Sequence, residues 1–438
     1  MISELKIRNF KSLESVDLKL GHFNLLVGAN ASGKSNFLDA LRFLQGVGNG
    51  LSITEILEGK SAATTNSKWP GIRGGSQFIT WRRPNGSRAD SIVFSTTFSE
   101  VNPPDSSVHE LIHQFTCSVA NGSAYISRET LNSGANILID EDQRFSILPL
   151  TFRQTDDDAV VPEVSFDDSA FDDSAFDDSA GTDIVPDQSR SVLATLSSVG
   201  KILGVRQGLA HLATPIWCAV YVASNLTQIQ FLDPLPAMLR EYSAKATQLG
   251  ENGEGFAALI HEIESNGSKP ALLEWLKELR PDEVDDIYAL EGLNNDFMVA
   301  IKEGNKEFRG PVLSEGTLRF IALAAAFFQP SMPKVLVIEE IERGLHPSRL
   351  RLLLELMRSQ SRRTGTQVFA TTHSPTLLAW LTEEDRKTTF VCTRDAESGA
   401  TRMRSLAEVP RLEELVRERH SLDQLFEQGW IESVLHES

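Results

Sequence analysis

One eight-residue segment, from Gly28 to Ser35, has the residue types and spacing that are needed to hold a polyphosphate. It reads GANASGKS and matches G-x-x-x-x-G-K-[ST] at every fixed position. The glycines let backbone N–H groups curl around a phosphate, the lysine brings positive charge to the β- and γ-phosphates, and the last hydroxyl ligates Mg²⁺. A surface glycine turn without a ligand is the alternative. The sequence predicts a site for ATP and Mg²⁺ on Gly28, Asn30, Ser32, Gly33, Lys34, Ser35 and Asn36.

Two carboxylates follow an apolar run, VLVIEE at 335–340, which is typical of a buried strand in a parallel sheet. Ligands of such sheets lie beyond the carboxyl ends of the strands, where Glu339 and Glu340 are expected. We expect Glu339 to hold Mg²⁺ through water and Glu340 to orient and polarise the attacking water. The alternative is that both side chains simply end the strand in solvent.

His373 ends a further predicted strand, QVFATT at 367–372. A histidine at that position can donate a hydrogen bond to a γ-phosphate. Taken alone, such a histidine is more often structural, but its order after the other two motifs favours the catalytic interpretation. Lys34, Glu340 and His373 are therefore the candidate catalytic residues.

A second anion-facing helix start is predicted at LSEGT, residues 313–317, which opens the apolar run LRFIALAAAFF. Free backbone N–H groups and the positive end of the helix dipole suit this position to a phosphate. Ser314 and Gly316 are the residues expected to contact it. Ser314 lies 279 residues after Ser35 in the sequence. The question is therefore whether the two helix N-termini bind the same ligand.

Charge is distributed unevenly along the 438 residues. Two thirds of the net charge of −18 comes from residues 155–187, which hold twelve acidic residues, no Lys or Arg, and the unit FDDSA three times over 166–180. A five-residue period fits neither a helix nor a strand, and we predict a disordered loop there, with a partner-docking or DNA-mimicking tail as the alternative.

The three scattered cysteines, the charged N-terminus and the absence of a long apolar run lead us to expect a soluble, cytoplasmic protein without a membrane partner.

The order of motifs resembles the ABC-type ATPase heads of the SMC and RecF branch. IRNFKS (7–12), the phosphate loop, LSEGT, VLVIEE, ERGLHP (342–347) and TTHSP follow one another as in small RecF-like and OLD-like bacterial ATPases of the AAA family. LSEGT differs from the LSGGQ of transporters but keeps the serine and one glycine. The likeness covers about 1–60 and 305–380. In the family's terms, Gln77 is a candidate for the Q-loop and Arg73 for a γ-phosphate ligand, although a surface loop explains either residue.

The fold implied is an α/β P-loop NTPase, an ABC-type two-lobed head with an antiparallel N-terminal lobe, a parallel sheet and a mainly helical insertion. We predict four regions. They are an N-terminal lobe (1–150), an acidic low-complexity loop (151–190), a mainly helical insertion (191–297) and a C-terminal lobe with the signature, the carboxylate strand and the switch histidine (298–438). Within the insertion, residues 192–204, 233–250, 254–265 and 271–280 are expected to be helical.

The resemblance implies that two chains pack head to tail, so that Ser314 and Gly316 of one chain close on the ATP of the other. Homodimers or higher oligomers are therefore expected, with slow, switch-like hydrolysis. The insertion shows no sustained heptads for a long coiled coil, and the chain after His373 shows no clustered carboxylates for a nuclease. We therefore expect a switch that controls a separate effector, as in bacterial anti-phage pairs. A RecF-like DNA clamp is the alternative, with Arg82, Arg83, Arg402 and Arg404 as candidate DNA contacts or ordinary solvated charges.

Overall fold

A computed structural model gives the structure of the chain. It describes residues 1–60, 69–101, 109–120, 123–133, 136–140, 150–154, 160–164, 210–280, 283–410, 412–417, 421–431 and 434. The predicted disorder of 166–180 and the predicted helix at 192–204 lie outside these residues.

Seventeen strands and eleven α-helices are described within those ranges. The strands are β1 (Ile2–Phe10), β2 (Leu13–Lys19), β3 (Phe23–Val27), β4 (Ser91–Ser99), β5 (Glu110–Ala120), β6 (Ser123–Ser133), β7 (Asn136–Asp140), β8 (Leu150–Gln154), β9 (Val160–Val164), β10 (Ile229–Leu232), β11 (Asp286–Glu291), β12 (Phe297–Glu303), β13 (Lys306–Arg309), β14 (Val335–Ile338), β15 (Gln367–Thr372), β16 (Thr389–Arg394) and β17 (Thr401–Ser405). The helices are α1 (Lys34–Gly48), α2 (Ile53–Glu58), α3 (Ala210–Thr227), α4 (Pro236–Leu239), α5 (Phe256–Ser265), α6 (Lys269–Leu279), α7 (Glu315–Ala325), α8 (Pro347–Thr364), α9 (Glu383–Lys387), α10 (Leu412–Arg417) and α11 (Leu422–Glu427).

The central sheet has the strand order β10-β14-β15-β3-β16-β17, and its first five strands are parallel. Every residue of β3, β14 and β15 is buried, because helices cover both faces of the sheet. β14 is continuously apolar for that reason, whereas β3 and β15 also bury a few polar side chains, among them Asn24 and Gln367. Since neighbouring parallel strands end at the same edge, the three predicted motifs meet at the carboxyl ends of β14, β15 and β3.

The second large sheet is antiparallel, in the order β2-β1-β4-β5-β6-β7. Its inner face packs against α1 through a cluster of phenylalanine rings. Phe43 of α1 stacks on Phe94 and Phe115 with ring centroids 5.3 and 5.9 Å apart, and Phe10 meets Phe94 edge to face. The predicted α/β fold with an antiparallel N-terminal lobe and a parallel sheet is confirmed.

The insertion, predicted to be mainly helical, differs from the prediction in three places: 233–250, β10 and β11. Residues 233–250 are helical only at Pro236–Leu239, because prolines at 234 and 236 remove backbone donors and the polar stretch beyond them has no apolar stripe to bury. Residues 229–232 form β10, a strand that pairs with β14 at the edge of the central sheet. The run IQFL is too short to reveal a strand by itself, and its partner lies about 100 residues away in sequence.

A small antiparallel sheet and two predicted helices complete the described fold. β12 and β13 form a hairpin with Glu303 opposite Lys306, and β11 pairs with β12 as a third strand. The predicted helices at 254–265 and 271–280 correspond to α5 and α6. The region boundaries stay predictions. No helix in the described part of the chain has both the length and the apolar character that crossing a bilayer requires.

Candidate functional site

Three side chains from three motifs form a line at the carboxyl edge of the central sheet. Lys34 Nζ lies 3.1 Å from His373 Nδ1, and His373 Nε2 lies 3.2 Å from Glu340 Oε1. A lysine ammonium can only donate, so His373 Nδ1 accepts from it and the Nε2–H then donates to Glu340. The three candidate catalytic residues are thus in direct contact.

The phosphate loop connects β3 to α1 through backbone conformations that suit glycine. Gly33 has φ = 105° and Ala31 has φ = 63°. A Cβ on Gly28 would collide with the carbonyl oxygen of Cys392, and a Cβ on Gly33 would collide with the side chain of Thr401. Both glycines are therefore required by the close approach of β16 and β17.

Lys34 is 5% exposed, and the loop itself satisfies its ammonium group. Nζ donates to the carbonyl oxygens of Gly28 at 2.6 Å and Ala29 at 2.9 Å. Burial lowers the pKa of Lys34, while nearby carboxylates, among them Glu342 and Glu340, act in the opposite direction. A phosphate that replaced these neutral carbonyls would give the ammonium a full negative charge as partner.

Ser35 and Glu339 lie together, as the predicted metal site requires. The Ser35 hydroxyl donates to Glu339 Oε1 at 3.3 Å. A hydroxyl and a carboxylate are oxygen ligands of the kind that Mg²⁺ uses when waters and phosphates complete its shell, so these residues fit the ion. A bound Mg²⁺ would neutralise charge on the β- and γ-phosphates. Among the described residues, no group of three or more His, Cys, Asp or Glu side chains is arranged to hold a metal.

Glu340 occupies a strained backbone position, with φ = 47°. Its N–H donates to Thr371 Oγ1 at 2.9 Å, and its side chain is 40% exposed. The backbone N–H of His373 donates to Glu342 Oε1 at 2.6 Å. The carboxylate of Glu342 therefore fixes the start of the segment that carries His373. Sequence reasoning assigned no role to Glu342, although it stands two positions after Glu340.

Arg73 is brought to the site, whereas Gln77 is not. The Arg73 guanidinium donates to the Ser35 carbonyl at 3.0 Å and lies 3.6 Å from Glu339 Oε1. Asp39, which is buried and also paired with Lys11 at 2.6 Å, holds the Arg73 Nε at 3.1 Å. Gln77 is exposed in a short 3₁₀ turn, so the structure gives its Q-loop assignment no support.

The signature segment opens α7. Ser314 is an exposed residue and the N-cap: its hydroxyl accepts a hydrogen bond from Thr317 N–H at 3.2 Å and donates to the Thr317 hydroxyl at 2.8 Å. Gly316 is buried against the 342–347 segment, because a Cβ there would lie 2.5 Å from the carbonyl oxygen of Gly344. No hydrogen bond within the described residues joins 313–317 to the phosphate loop of the same chain. The two anion-facing helix starts are therefore separate sites within one chain.

The remaining predicted residues fall into two groups. Ser32 is buried 3.5 Å from Lys34 Nζ, Asn30 is exposed at the loop tip, and Asn36 donates to the Ser12 hydroxyl at 2.6 Å. The candidate DNA contacts come from two elements that touch, because Trp81 and Ala89, at the base of one element, cluster with Ala400 directly before the other. Arg82 and Arg83 are exposed in a hairpin, whereas Arg402 and Arg404 lie on β17.

Comparison with family models identifies two regions of the chain. A model described as "AAA domain, putative AbiEii toxin, Type IV TA system" matches residues 244–379. A model described as "AAA ATPase domain" matches residues 1–70. Both matched ranges contain motifs of the site.

Curated relatives match over short stretches. The DNA replication and repair protein RecF of Glaesserella parasuis is 50% identical over 44 residues, which is 10% of this chain and 12% of that protein. The OLD nuclease of Thermus scotoductus is 26% identical over 144 residues, which is 31% of this chain and 22% of that protein. The chain therefore spans less than a quarter of the length of each of these relatives.

A solved structure of an SMC head bound to the C-winged helix domain of ScpA has a TM-score of 0.51 with this chain. The alignment covers 95% of this chain and 99% of the SMC head, at 13% sequence identity. At that identity the likeness concerns the fold alone.

Proposed function

We propose that this chain, which is an ABC-type ATPase head of the RecF, SMC and OLD type, is an ATP-driven dimerisation switch. Two chains would pack head to tail with two ATP molecules between them. Each ATP would bind the phosphate loop of one chain and the signature segment of the other. Slow hydrolysis would then separate the chains.

The exposure of Ser314 is the observation that carries this proposal. Lys34, His373 and Glu340 line one side of a nucleotide site, but the second helix start of the chain contributes nothing to that side. Ser314 instead faces outward at the positive end of α7. A second copy related by a two-fold axis would bring this N-terminus to the open side of the site, and the reverse contact would form at the same time.

Within the closed dimer, these residues account for the chemistry of hydrolysis. Glu340 accepts a proton from the attacking water as the oxygen bonds to the γ-phosphorus and the bond to the β-phosphate oxygen breaks. Once ATP is bound, the Nε2–H of His373, which in this structure donates to Glu340, donates to the γ-phosphate instead. Lys34 exchanges its loop carbonyls for phosphate oxygens. Arg73 lies next to Ser35 and Glu339, and we propose that it also turns toward the γ-phosphate.

The output of the switch is proposed to be a separate effector protein, and the setting to be bacterial defence against phage. The similarity to a family model described by the name of the AbiEii toxin supports this setting. Affinity capture of the tagged chain from its own host, in the wild-type form and as Glu340→Gln with ATP, would test the idea. An effector should be retained in a nucleotide-dependent manner, and capture that is identical with and without ATP contradicts it.

The dimer itself is tested with Glu340→Gln, which keeps the shape of the side chain and removes the general base. With ATP and Mg²⁺ this variant should elute as a stable dimer and hydrolyse ATP about 100-fold or more slowly than wild type. Glu355→Gln, at a half-exposed position of α8, is the matched control and should behave as wild type. A Glu340→Gln protein that stays monomeric when saturated with ATP and Mg²⁺ refutes the switch.

A RecF-like DNA clamp is the second candidate, because of the 44-residue match to RecF and the exposed pair Arg82 and Arg83. Titration with fluorescent duplex at two salt concentrations, with and without ATP, distinguishes the two functions. A clamp should bind tightly only with ATP, lose affinity steeply with salt, and weaken when both arginines are replaced by alanine. ATP-independent or undetectable binding excludes it.

A further inference from the structure

Arg319 is a buried cation on the signature helix, five positions after Ser314. Its residue exposure is 2%, and it lies on the side of α7 that faces the carboxylate strand. Nη1 donates to Asp233 Oδ1 at 2.9 Å and to the Pro234 carbonyl at 2.7 Å. Nη2 donates to the carbonyl oxygens of Glu339 at 2.9 Å and Glu340 at 3.2 Å. One guanidinium therefore joins α7 to both motif glutamates.

Asp233, which comes directly after β10, makes this arrangement possible. Its Oδ2 accepts from Arg343 at 3.0 Å, while its Oδ1 accepts from Arg319. Burial lowers the pKa of Arg319, and the carboxylate of Asp233 opposes that shift, so the cation remains charged at neutral pH. Asp233 thus connects the signature helix with the ERGLHP segment, where Arg343 lies next to Gly344.

Arg319 holds the carbonyl of Glu340, a residue whose backbone is strained. Glu340 has φ = 47°, its N–H is held by Thr371, and its carbonyl is held by Arg319. Such a conformation persists only where its surroundings fix it on both sides. Without the Arg319 contact, the backbone of Glu340 would be free to relax, and its carboxylate would shift relative to the attacking water.

We propose that Arg319 is a positioning residue that couples the signature helix of a chain to the general base of the same chain. When Ser314 binds the ATP held by the partner, α7 becomes fixed, and Arg319 then fixes Glu340 in its hydrolytic position. Each site would hydrolyse only when the opposite site is occupied. The proposal rests on the shared-nucleotide dimer proposed for this chain and adds communication between its two sites.

The first test replaces Arg319 by methionine and separates kcat from nucleotide binding. Arg319→Met should lower kcat about 10- to 100-fold, because a displacement of about 1 Å at the reacting group has effects of this size. Its ATP affinity, and its ATP-dependent dimerisation in a Glu340→Gln background, should change less than threefold. The Hill coefficient for ATP should fall to one. Arg319→Lys, which keeps the charge but loses the two-pronged geometry, should recover part of kcat.

Arg358→Met is the matched control. Arg358 is a partly buried arginine that also pairs with a carboxylate, Asp385 at 2.7 Å, but it lies on α8 and its partners among the described residues, Asp385 and the Trp380 carbonyl, belong to none of the motifs. It should lose thermal stability and keep kcat. Should Arg319→Met fail to fold, Asp233→Asn provides the same test, with a smaller loss of kcat, because it removes the charged partner and leaves Arg319 in place.

Mixed dimers show in which direction the coupling acts. One chain carries Glu340→Gln, so only the other chain hydrolyses, and both bind ATP. Arg319→Met in the hydrolysing chain should abolish most phosphate release, whereas the same change in the Glu340→Gln chain should have little effect. Equal loss in both placements, or weakened ATP binding with normal kcat, overturns the positioning role. A parent dimer that does not assemble with ATP would instead contradict the switch itself.

Discussion

The N-termini of α1 and α7 are built from different kinds of contact, although each is the positive end of a helix dipole. Gly33 begins α1 without a side-chain cap, and the ammonium of Lys34 and the carboxylate of Glu339 lie close by. Ser314 begins α7, caps its own helix and lies exposed. The first terminus is supported by strands β3, β16 and β17 of its own chain. The second packs on Gly344 and is joined to the strand behind it by Arg319. Arg240 also donates to the Leu313 carbonyl at 3.3 Å and pairs with Glu315 at 3.7 Å.

This difference indicates separate roles for the two termini. A terminus enclosed by its own chain can hold a nucleotide without help. An exposed terminus can contact a second molecule. Because its inner side packs against other residues of its own chain, that contact can also change how those residues are held. Changes at α1 should therefore affect nucleotide binding, and changes at α7 should affect dimer closure and hydrolysis.

Lys34→Ala should have the largest effect. Removal of the charge that faces the β- and γ-phosphates should weaken ATP binding about 100-fold or more, and hydrolysis should disappear with it. Titration with a fluorescent ATP analogue measures the affinity directly. Lys60→Ala, at the surface beyond α2, is the control. Retention of near wild-type affinity by Lys34→Ala would mean that α1 does not hold the phosphates.

Ser314→Arg should distinguish the role of the α7 N-terminus from that of the α1 N-terminus most clearly. The bulky side chain occupies the space where the partner's γ-phosphate would lie, so ATP binding should change less than threefold while dimerisation and turnover are lost. Light scattering with ATP and a phosphate-release assay measure the two properties. Ser348→Arg, near the start of α8, is a control for the added charge. Normal turnover in Ser314→Arg contradicts the shared site.

Gly316→Ala should have an intermediate effect, because it changes only the packing of α7 against the segment that contains Gly344. The added methyl group would lie 2.5 Å from the Gly344 carbonyl, so the two segments must move apart. We expect a loss of about 1–3 kcal/mol in the free energy of unfolding, measured by urea denaturation. ATP affinity should be unchanged. Gly267→Ala is the comparison: its added methyl group meets no neighbour, but its backbone has φ = 78°, so it measures the cost of backbone strain without a collision.

The smallest expected effect concerns the three cysteines, whose burial should slow their reaction with thiol reagents. Burial raises the pKa of Cys117 and Cys392 to about 12 and that of Cys218 to about 11. At pH 8 a thiol reagent should therefore react slowly with the native protein and rapidly after unfolding. The thiol pKa values of the native protein lie above the usual value of 9.0, so the unfolded chain ionises first as the pH rises. The protonated thiols therefore stabilise the folded state fully below pH 9, and this stabilisation is lost as the pH rises toward 12. ATP should slow labelling of Cys392, whose carbonyl lies against Gly28, and leave Cys117 unaffected.

The sequence predicted the parts of the site whose signals are local. The spacing of Gly28, Gly33 and Lys34, and the carboxylates at the end of an apolar strand, identified residues that the structure brings into contact. Asp233, Glu342 and β10 were missed, because their roles depend on partners far away in sequence. Arg319 had a signal that was overlooked. It is the lone charge in LRFIALAAAFF, and a charge in a buried helix requires a partner. Residues 233–250 were predicted as helix because local propensity was weighted above the prolines.

The position of β3 between β15 and β16 has a consequence for how the protein is made. The wall of the phosphate loop includes Thr401, so 373 residues must be added after Gly28 before the loop has its neighbours. At about 5–20 residues per second, that interval lasts roughly 20 to 75 seconds on the ribosome. Until β15 and β16 have been made, the two edges of β3 lack their partner strands, and the loop lacks Thr401 until the interval ends. ATP binding would therefore be possible only in the last stage of folding, and a chain whose synthesis stops early would gain no stability from its ligand.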